Sequence, residues 1–260
     1  MNHHVRNSLP FLFANIVFCV VLGIAIAYFD KAAMHLWLNG THTAAGDFFF
    51  QYYTYVGEWV PYVIMALLLF YKAGWASFLL VDVLVSGGLG QILKYMANTD
   101  RPYLFFAKHY PDIQLQLVEG VEMSKWYSFP SGHSTTFFAL FMTLTVILCE
   151  IVRKNSCQIA PENTSSSHLS PSTCHLSPAT CHLSPATCHL LSVVCFLLAV
   201  LGGYSRIYLN QHFAEDILGG ATIGTLTTFA LLFAVPKLEK TVIWNWNLLQ
   251  IKQKTNNKED

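Results

Sequence analysis

The residues able to do chemistry fall in three short stretches. The first, Trp126-Tyr127-Ser128-Phe129-Pro130-Ser131-Gly132-His133-Ser134, opens straight into an apolar run from Thr135 to Cys149. Pro130 fixes the backbone and Gly132 lets it bend. Consecutive N–H groups can then converge at a helix N-terminus, where unpaired donors and the helix dipole attract an anion. Ser131 adds a hydroxyl, and His133 puts a titratable imidazole beside that anion. Alone, these residues make an ordinary turn and N-cap. Two further stretches alter the odds. Lys94 and Arg101-Pro102 are seven apart, two helical turns, so both cations can share one face. Ser205-Arg206 closes one apolar run, and His212 and Asp216, spaced i, i+4, come where the next begins. Each has a bland alternative: Lys94 can snorkel, Arg101 and Arg206 can meet lipid headgroups, and Asp216 can cap a helix. Together they make three cations, an anion-binding turn, two imidazoles and a carboxylate. That inventory serves phosphoryl transfer without a metal.

The elements that must position them are membrane helices. Of 260 residues 53% are hydrophobic and only 12% charged, the composition of a polytopic membrane protein. Fifteen basic residues balance fifteen acidic ones, so no charge excess points to nucleic acid. Seven scattered or repeated Cys imply no disulfide framework. Apolar runs predict an all-α, six-transmembrane-helix bundle with spans near 11–29, 53–71, 75–96, 133–151, 190–208 and 216–235. Ala25-Ile26-Ala27 resembles a signal-peptidase site, but the run is too long for a signal segment and counts as the first span. Residues 30–52 and 97–132 read as loops with interfacial aromatics. Pro61 predicts a kink in the second span, and Gly219, Gly220 and Gly224 a close helix contact in the sixth. Asp82, an acid within the third span, reads as a structural hydrogen-bond partner. The domain expected is 1–240, with 155–190 as an inserted low-complexity cytoplasmic loop and 241–260 as a Lys-rich cytoplasmic tail.

That insert holds tandem copies of His-Leu-Ser-Pro-Ser/Ala-Thr-Cys, at 168–174, 175–181 and 182–188. Adjacent Cys-His pairs are metal-ligand types. Their spacing matches no familiar zinc site, and a Pro in each copy prevents a helix that would align them. A disordered loop is the expectation, with no metal and no cofactor.

Six spans put both termini on one side. With Lys94, Arg101 and Arg206 set aside as site residues, nine cations (Arg6, Lys72, Arg153, Lys154, Lys237, Lys240, Lys252, Lys254 and Lys258) face three (Lys31, Lys108 and Lys125). The positive-inside rule then predicts an inner, plasma-membrane protein with cytoplasmic termini and its polar residues on the periplasmic or extracellular side. Free thiols in the insert agree with a reducing cytoplasm.

Lys94-x6-Arg101-Pro102, Pro130-Ser131-Gly132-His133 and Ser205-Arg206-x5-His212-x3-Asp216 resemble the three signature motifs of the type 2 phosphatidic acid phosphatase superfamily, intact and in family order. With the helices, the resemblance covers most of the chain; only the repeat insert departs from the pattern. It implies a metal-independent lipid phosphatase in which His212 attacks phosphorus and becomes a phosphohistidine. Asp216 would fix the His212 tautomer, and His133 would protonate the leaving oxygen. Lys94, Arg101, Ser131, Gly132 and Arg206 would hold the phosphoryl oxygens. The implied partner is a phosphorylated membrane lipid: undecaprenyl diphosphate, phosphatidylglycerophosphate, phosphatidic acid or a lipid A phosphate. Two alternatives stand beside this. A phosphotransferase would pass the group to another acceptor, whereas a transporter or lipid-binding scaffold would keep its polar site nearer the midplane.

Overall fold

Long apolar runs leave a backbone no hydrogen-bond partner but itself, and every element of this chain is accordingly a helix or a helical turn among the described residues. The computed structural model describes residues 2–158 and 185–248. In chain order the helices are α1 (His3–Tyr28), α2 (Lys31–Asn39), α3 (Ala44–Tyr53) with a 3-10 turn (Thr54–Gly57), α4 (Val60–Tyr71), α5 (Ala73–Ala97), α6 (Pro102–His109), α7 (Gly132–Gln158), α8 (Pro185–Tyr208), α9 (Ala214–Leu232), α10 (Val235–Leu238) and α11 (Val242–Asn245).

By length and apolarity, α1, α5 running on into α6, α7 and α8 qualify as membrane spans. The α3–α4 pair, bent by 51°, makes a fifth if counted as one. The count is therefore four or five, where the hydrophobic runs predict six. The missing one is α9, which opens on Glu215 and Asp216 and spends its length on Gly and Thr. Those residues serve packing. A Cβ on Gly220 would meet the Ser131 carbonyl oxygen at 2.6 Å, and one on Gly224 the Ala139 nitrogen at 3.0 Å, so α9 lies backbone to backbone on α7. The contact expected of these glycines is present.

The core centres on α7, 72% of whose apolar window is buried, against 11% for α1. Helices α1, α5, α8 and α9 all pack on α7. Phe137, Phe138 and Met142 of α7 are wholly buried between them. Asp82 acts as a polar rivet within this core: Thr143 of α7 and Thr228 of α9 both donate to its Oδ2, at 3.1 and 2.7 Å.

Several expectations need correction. Residues 30–52 are not a loop. Asp30 caps α2 by accepting from Ala33 N–H at 2.9 Å, and Thr43 caps α3 by accepting from Gly46 N–H at 3.0 Å. The cap residues decide here, although the exposed aromatics Trp37 and Phe48 read as interfacial loop. Pro61 starts α4 rather than kinking it, and the bend falls before it, at Glu58 and Trp59. Lys94 and Arg101 do not share a helix face: α5 stops at Ala97, Asn98 takes φ 42° as its left-handed cap, and Arg101 is the extended residue before α6. The segment from 241 begins packed on the bundle rather than as a tail. Trp244 is buried against Trp75, and Trp246 O accepts from Ala73 N–H at 2.8 Å. The repeats from 168 to 184 lie outside the described residues; the close of the third copy, from Pro185, is the first turn of α8.

Candidate active site

The site is built where α5, α7, α8 and α9 end or begin. The turn between α8 and α9 carries the most constrained part. Asn210 sits at φ 54°, a left-handed conformation that Asn adopts more readily than most side chains, and its amide is held on both sides. His35 Nε2 lies 3.0 Å from its Oδ1, and its Nδ2 donates to Gln116 O at 2.7 Å. The turn closes as Gln211 N–H and His212 N–H both donate to Arg206 O, at 2.9 and 3.1 Å. His212 thus lies directly over the end of α8.

Asp216 is the third helical residue of α9, and its carboxylate reaches back over the helix start. Oδ2 accepts from Phe213 N–H at 2.8 Å and from Ser128 Oγ at 2.5 Å, and stands 3.3 Å from His212 Nδ1. A carboxylate on Nδ1 holds the proton there and leaves Nε2 with a free lone pair. Both side chains are 1% exposed. Burial first, then the charges of Arg101, Arg206 and Lys94, push the His212 imidazole well below its ordinary value of 6.5. That shift favours the neutral ring.

The Pro-Ser-Gly turn is tied to the same point. Ser131 N–H donates to Asp216 O at 3.0 Å, while Ser128 N–H donates to Thr99 O. Ser131 Oγ, fully buried, accepts from Ser134 N–H at 3.3 Å and from Ser134 Oγ at 3.0 Å, so it caps α7. Gly132 opens the helix with the Lys94 side chain above it, 4.0 Å from where a Cβ would stand. His133, next along, faces Glu58 with Nε2 3.8 Å from Oε2.

The cations converge on this turn from three elements. Arg206 Nη1 donates to Thr54 Oγ1 at 2.6 Å, and its Nε is buried without a partner. Arg101 Nη1 donates to Gln211 Oε1 at 2.9 Å and Nε to Trp126 O at 3.1 Å. Lys94 Nζ donates to Tyr127 O at 3.3 Å. Lys94, Arg101 and Arg206 all act electrostatically on both His133 and His212. Beside them opens a cleft of about 610 Å³ whose wall includes Lys94, Tyr95, Arg101, Lys125, Trp126 and Tyr127.

All eight residues singled out from sequence thus gather around one turn: His212, Asp216, Ser131, Gly132, His133, Lys94, Arg101 and Arg206. Reading by motif missed the residues that hold them. Ser128 bridges the two histidine-bearing stretches, Gln211 holds Arg101, Thr54 holds Arg206, and Glu58 faces His133. Only Ser128 had a legible signal, its place within the Pro-Ser-Gly stretch; the others declare themselves through tertiary contact alone.

This geometry belongs with a known family. The chain matches the PAP2 superfamily over residues 75–240 and belongs to it. Its fold is that of PAP2-type membrane lipid phosphatases. It superposes on the crystal structure of Aquifex aeolicus LpxE with a TM-score of 0.54 and 21% identity, covering 80% of this chain and 98% of that one. It superposes likewise on a transmembrane PAP2-type phosphatidylglycerolphosphate phosphatase from Bacillus subtilis, with a TM-score of 0.54, 19% identity, and coverage of 88% and 97%. No curated protein matches the chain.

Proposed function

We propose that this protein is an integral-membrane phosphatase that hydrolyses a lipid phosphate or diphosphate through a phosphohistidine on His212, without a metal. The observation carrying the proposal is a buried, neutral His212 whose Nδ1 faces Asp216 at 3.3 Å amid Lys94, Arg101 and Arg206. The three cations and the Gly132 N–H receive the phosphoryl oxygens. Arg206 Nε, buried and unpartnered, is a donor awaiting such an oxygen. His212 Nε2 attacks phosphorus, the bond to the lipid oxygen breaks, and His133, held in its protonated form once the phosphate anion lies beside it, gives that oxygen its proton. Asp216 supports the positive charge that grows on His212. In the second half, His133 takes a proton from water as the water oxygen attacks the phosphohistidine. Phosphate leaves, and both histidines return to their starting states.

The membrane reading has a sixth span in α9. Its 19 residues cover about 28 Å at the helical rise, close to a hydrocarbon core. It starts at Ala214, beside the site, and ends at Leu232, whose carbonyl accepts from the Asn2 side chain at 3.0 Å. The cation bias favours cytoplasmic termini and a site on the outer side, within one membrane unit over 1–240. The cleft beside the cations, with exposed Trp126 and Tyr127 on its rim, suits a lipid headgroup arriving from the leaflet. The four lipid classes named above are the candidate substrates.

The test is phosphate release in detergent from each of the four, with EDTA present. Wild type should release phosphate from at least one, and His212→Ala should release none above background. Equal rates with and without His212 would end the proposal.

A further inference from the structure

At the far end of α9 from the active site lies a second cluster of ligand-type side chains that the phosphatase chemistry does not use. His3 and His4, in the first turn of α1, meet Glu239, which caps α10. One ligand atom from each of the three lies within 4.8 Å of the others. His4 is fully buried, with its ring edge on Trp75, and its Nδ1 has no hydrogen-bond partner. Its Nε2 stands 3.1 Å from Glu239 Oε1. The two imidazoles pack with centroids 3.8 Å apart.

Those facts fit metal ligation better than an ion pair. Two imidazolium rings in such contact would repel strongly, so the arrangement favours neutral rings, which keep the lone pairs a metal needs. In tetrahedral zinc, with bonds of roughly 2.0–2.2 Å, ligand atoms stand about 3.4 Å apart. The His4 Nε2–Glu239 Oε1 separation is already close to that, and the His3 ligand atom lies within 4.8 Å of both.

The charges nearby permit it. Lys72 Nζ lies 3.7 Å from Glu239 Oε1 but also 3.4 Å from Glu150 Oε1, so it keeps Glu150 when Glu239 turns to a metal. Lys154 also pairs with Glu150, at 2.7 Å, and Arg153 acts on His3 from α7.

We propose that His3, His4 and Glu239 form a structural site for zinc or a similar divalent transition metal. The site leaves a fourth position open to water on the half-buried His3 side. It joins the start of α1 to α10 and so holds the two ends of the described chain together. It lies a full helix length from His212 and takes no part in the proposed hydrolysis.

The test uses the full chain purified without a histidine tag, with thiols blocked by N-ethylmaleimide so that the Cys-His repeats lose their sulfur ligands. Zinc content and melting temperature are measured on adding zinc to the metal-free protein. Wild type should retain one zinc per chain after dialysis, and its melting temperature should rise by several degrees at saturation, because a ligand of the native state alone stabilises it. Glu239→Gln and His3→Gln, both only partly buried, should each bind at least tenfold more weakly and lose most of that rise. Retention of the same zinc and the same rise by both variants would overturn the site, as would absence of any rise in wild type. Phosphate release is not the readout, so the outcome is independent of the phosphatase reading.

Discussion

Asp216→Asn removes a charge while keeping a side chain of the same shape. In the wild type Oδ2 of Asp216 takes Phe213 N–H, Ser128 Oγ–H and the His212 ring nitrogen. The amide can serve the first two with its oxygen, so the fold should survive. What it cannot supply is a negative charge 3.3 Å from the imidazole as that ring becomes positively charged. At an effective dielectric of about 20 the lost attraction is at most ~5 kcal/mol, and a charge-assisted hydrogen bond is worth ~1.5–3 kcal/mol on mutational scales. The expected cost is thus ~2–5 kcal/mol of transition-state stabilisation, a fall in kcat of roughly 30- to 5,000-fold. An Asp-to-Asn change in a serine-protease triad, about 10⁴-fold, lies just beyond the upper end. The assay is steady-state phosphate release in detergent, with KM measured alongside. Because Asp216 is buried against His212 and does not line the cleft, KM should move little. A kcat within threefold of wild type would refute the reasoning, since no buried carboxylate that supports the nucleophile can be neutralised so cheaply.

Other consequences follow from the same contacts. Arg206→Lys keeps the charge but loses the planar fork that reaches Thr54 through Nη1 and leaves Nε free for substrate; kcat/KM should fall by about 10²-fold or more. Gly220→Ala drives a methyl to 2.6 Å from the Ser131 carbonyl, so it should lower both the melting temperature and activity, whereas Gly87→Ala, with open space at its Cβ, should do neither. The depressed His212 value also makes a stability prediction. Below pH 6.5 the unfolded chain takes up a proton that the folded site refuses, so stability falls with pH by up to ~1.4 kcal/mol per unit on this account, and His212→Gln should flatten that slope in a denaturant titration. If wild type and His212→Gln lose stability in parallel from pH 6.5 to pH 5, the burial of a neutral ring is misjudged. The same depression keeps the nucleophile neutral in acid, so the acidic limb of kcat/KM should lie below the ordinary imidazole value of 6.5.

How much of this could be read from residues alone differs by element. His212 and Asp216 announced themselves because i, i+4 spacing at a helix start leaves few geometries, and the Gly219, Gly220 and Gly224 stripe because small residues in a span have one common use. The eight candidate residues were legible as three motifs, but their convergence was not, since it depends on how α5, α7, α8 and α9 end. Lys94 and Arg101 illustrate the limit. Helical spacing put them on one face, yet Asn98 ends the helix between them and a different route brings both to the cleft. Likewise α2 and α3 were hidden because Trp37 and Phe48 drew attention from the caps at Asp30 and Thr43. Glu58 and Ser128 gain their importance from partners 75 and 88 residues away, at His133 and Asp216, and no local pattern carries that information.

The most direct test of the account is to catch the phosphorylated protein. Lipid substrate labelled in its phosphate is mixed with enzyme, quenched within milliseconds in alkali, where phosphohistidine survives, and the labelled peptides are sequenced. The account predicts label on the peptide containing His212, absent from His212→Ala and longer-lived when His133 is replaced by Gln. Rapid turnover with no label on the protein, or label on any other residue, would contradict it.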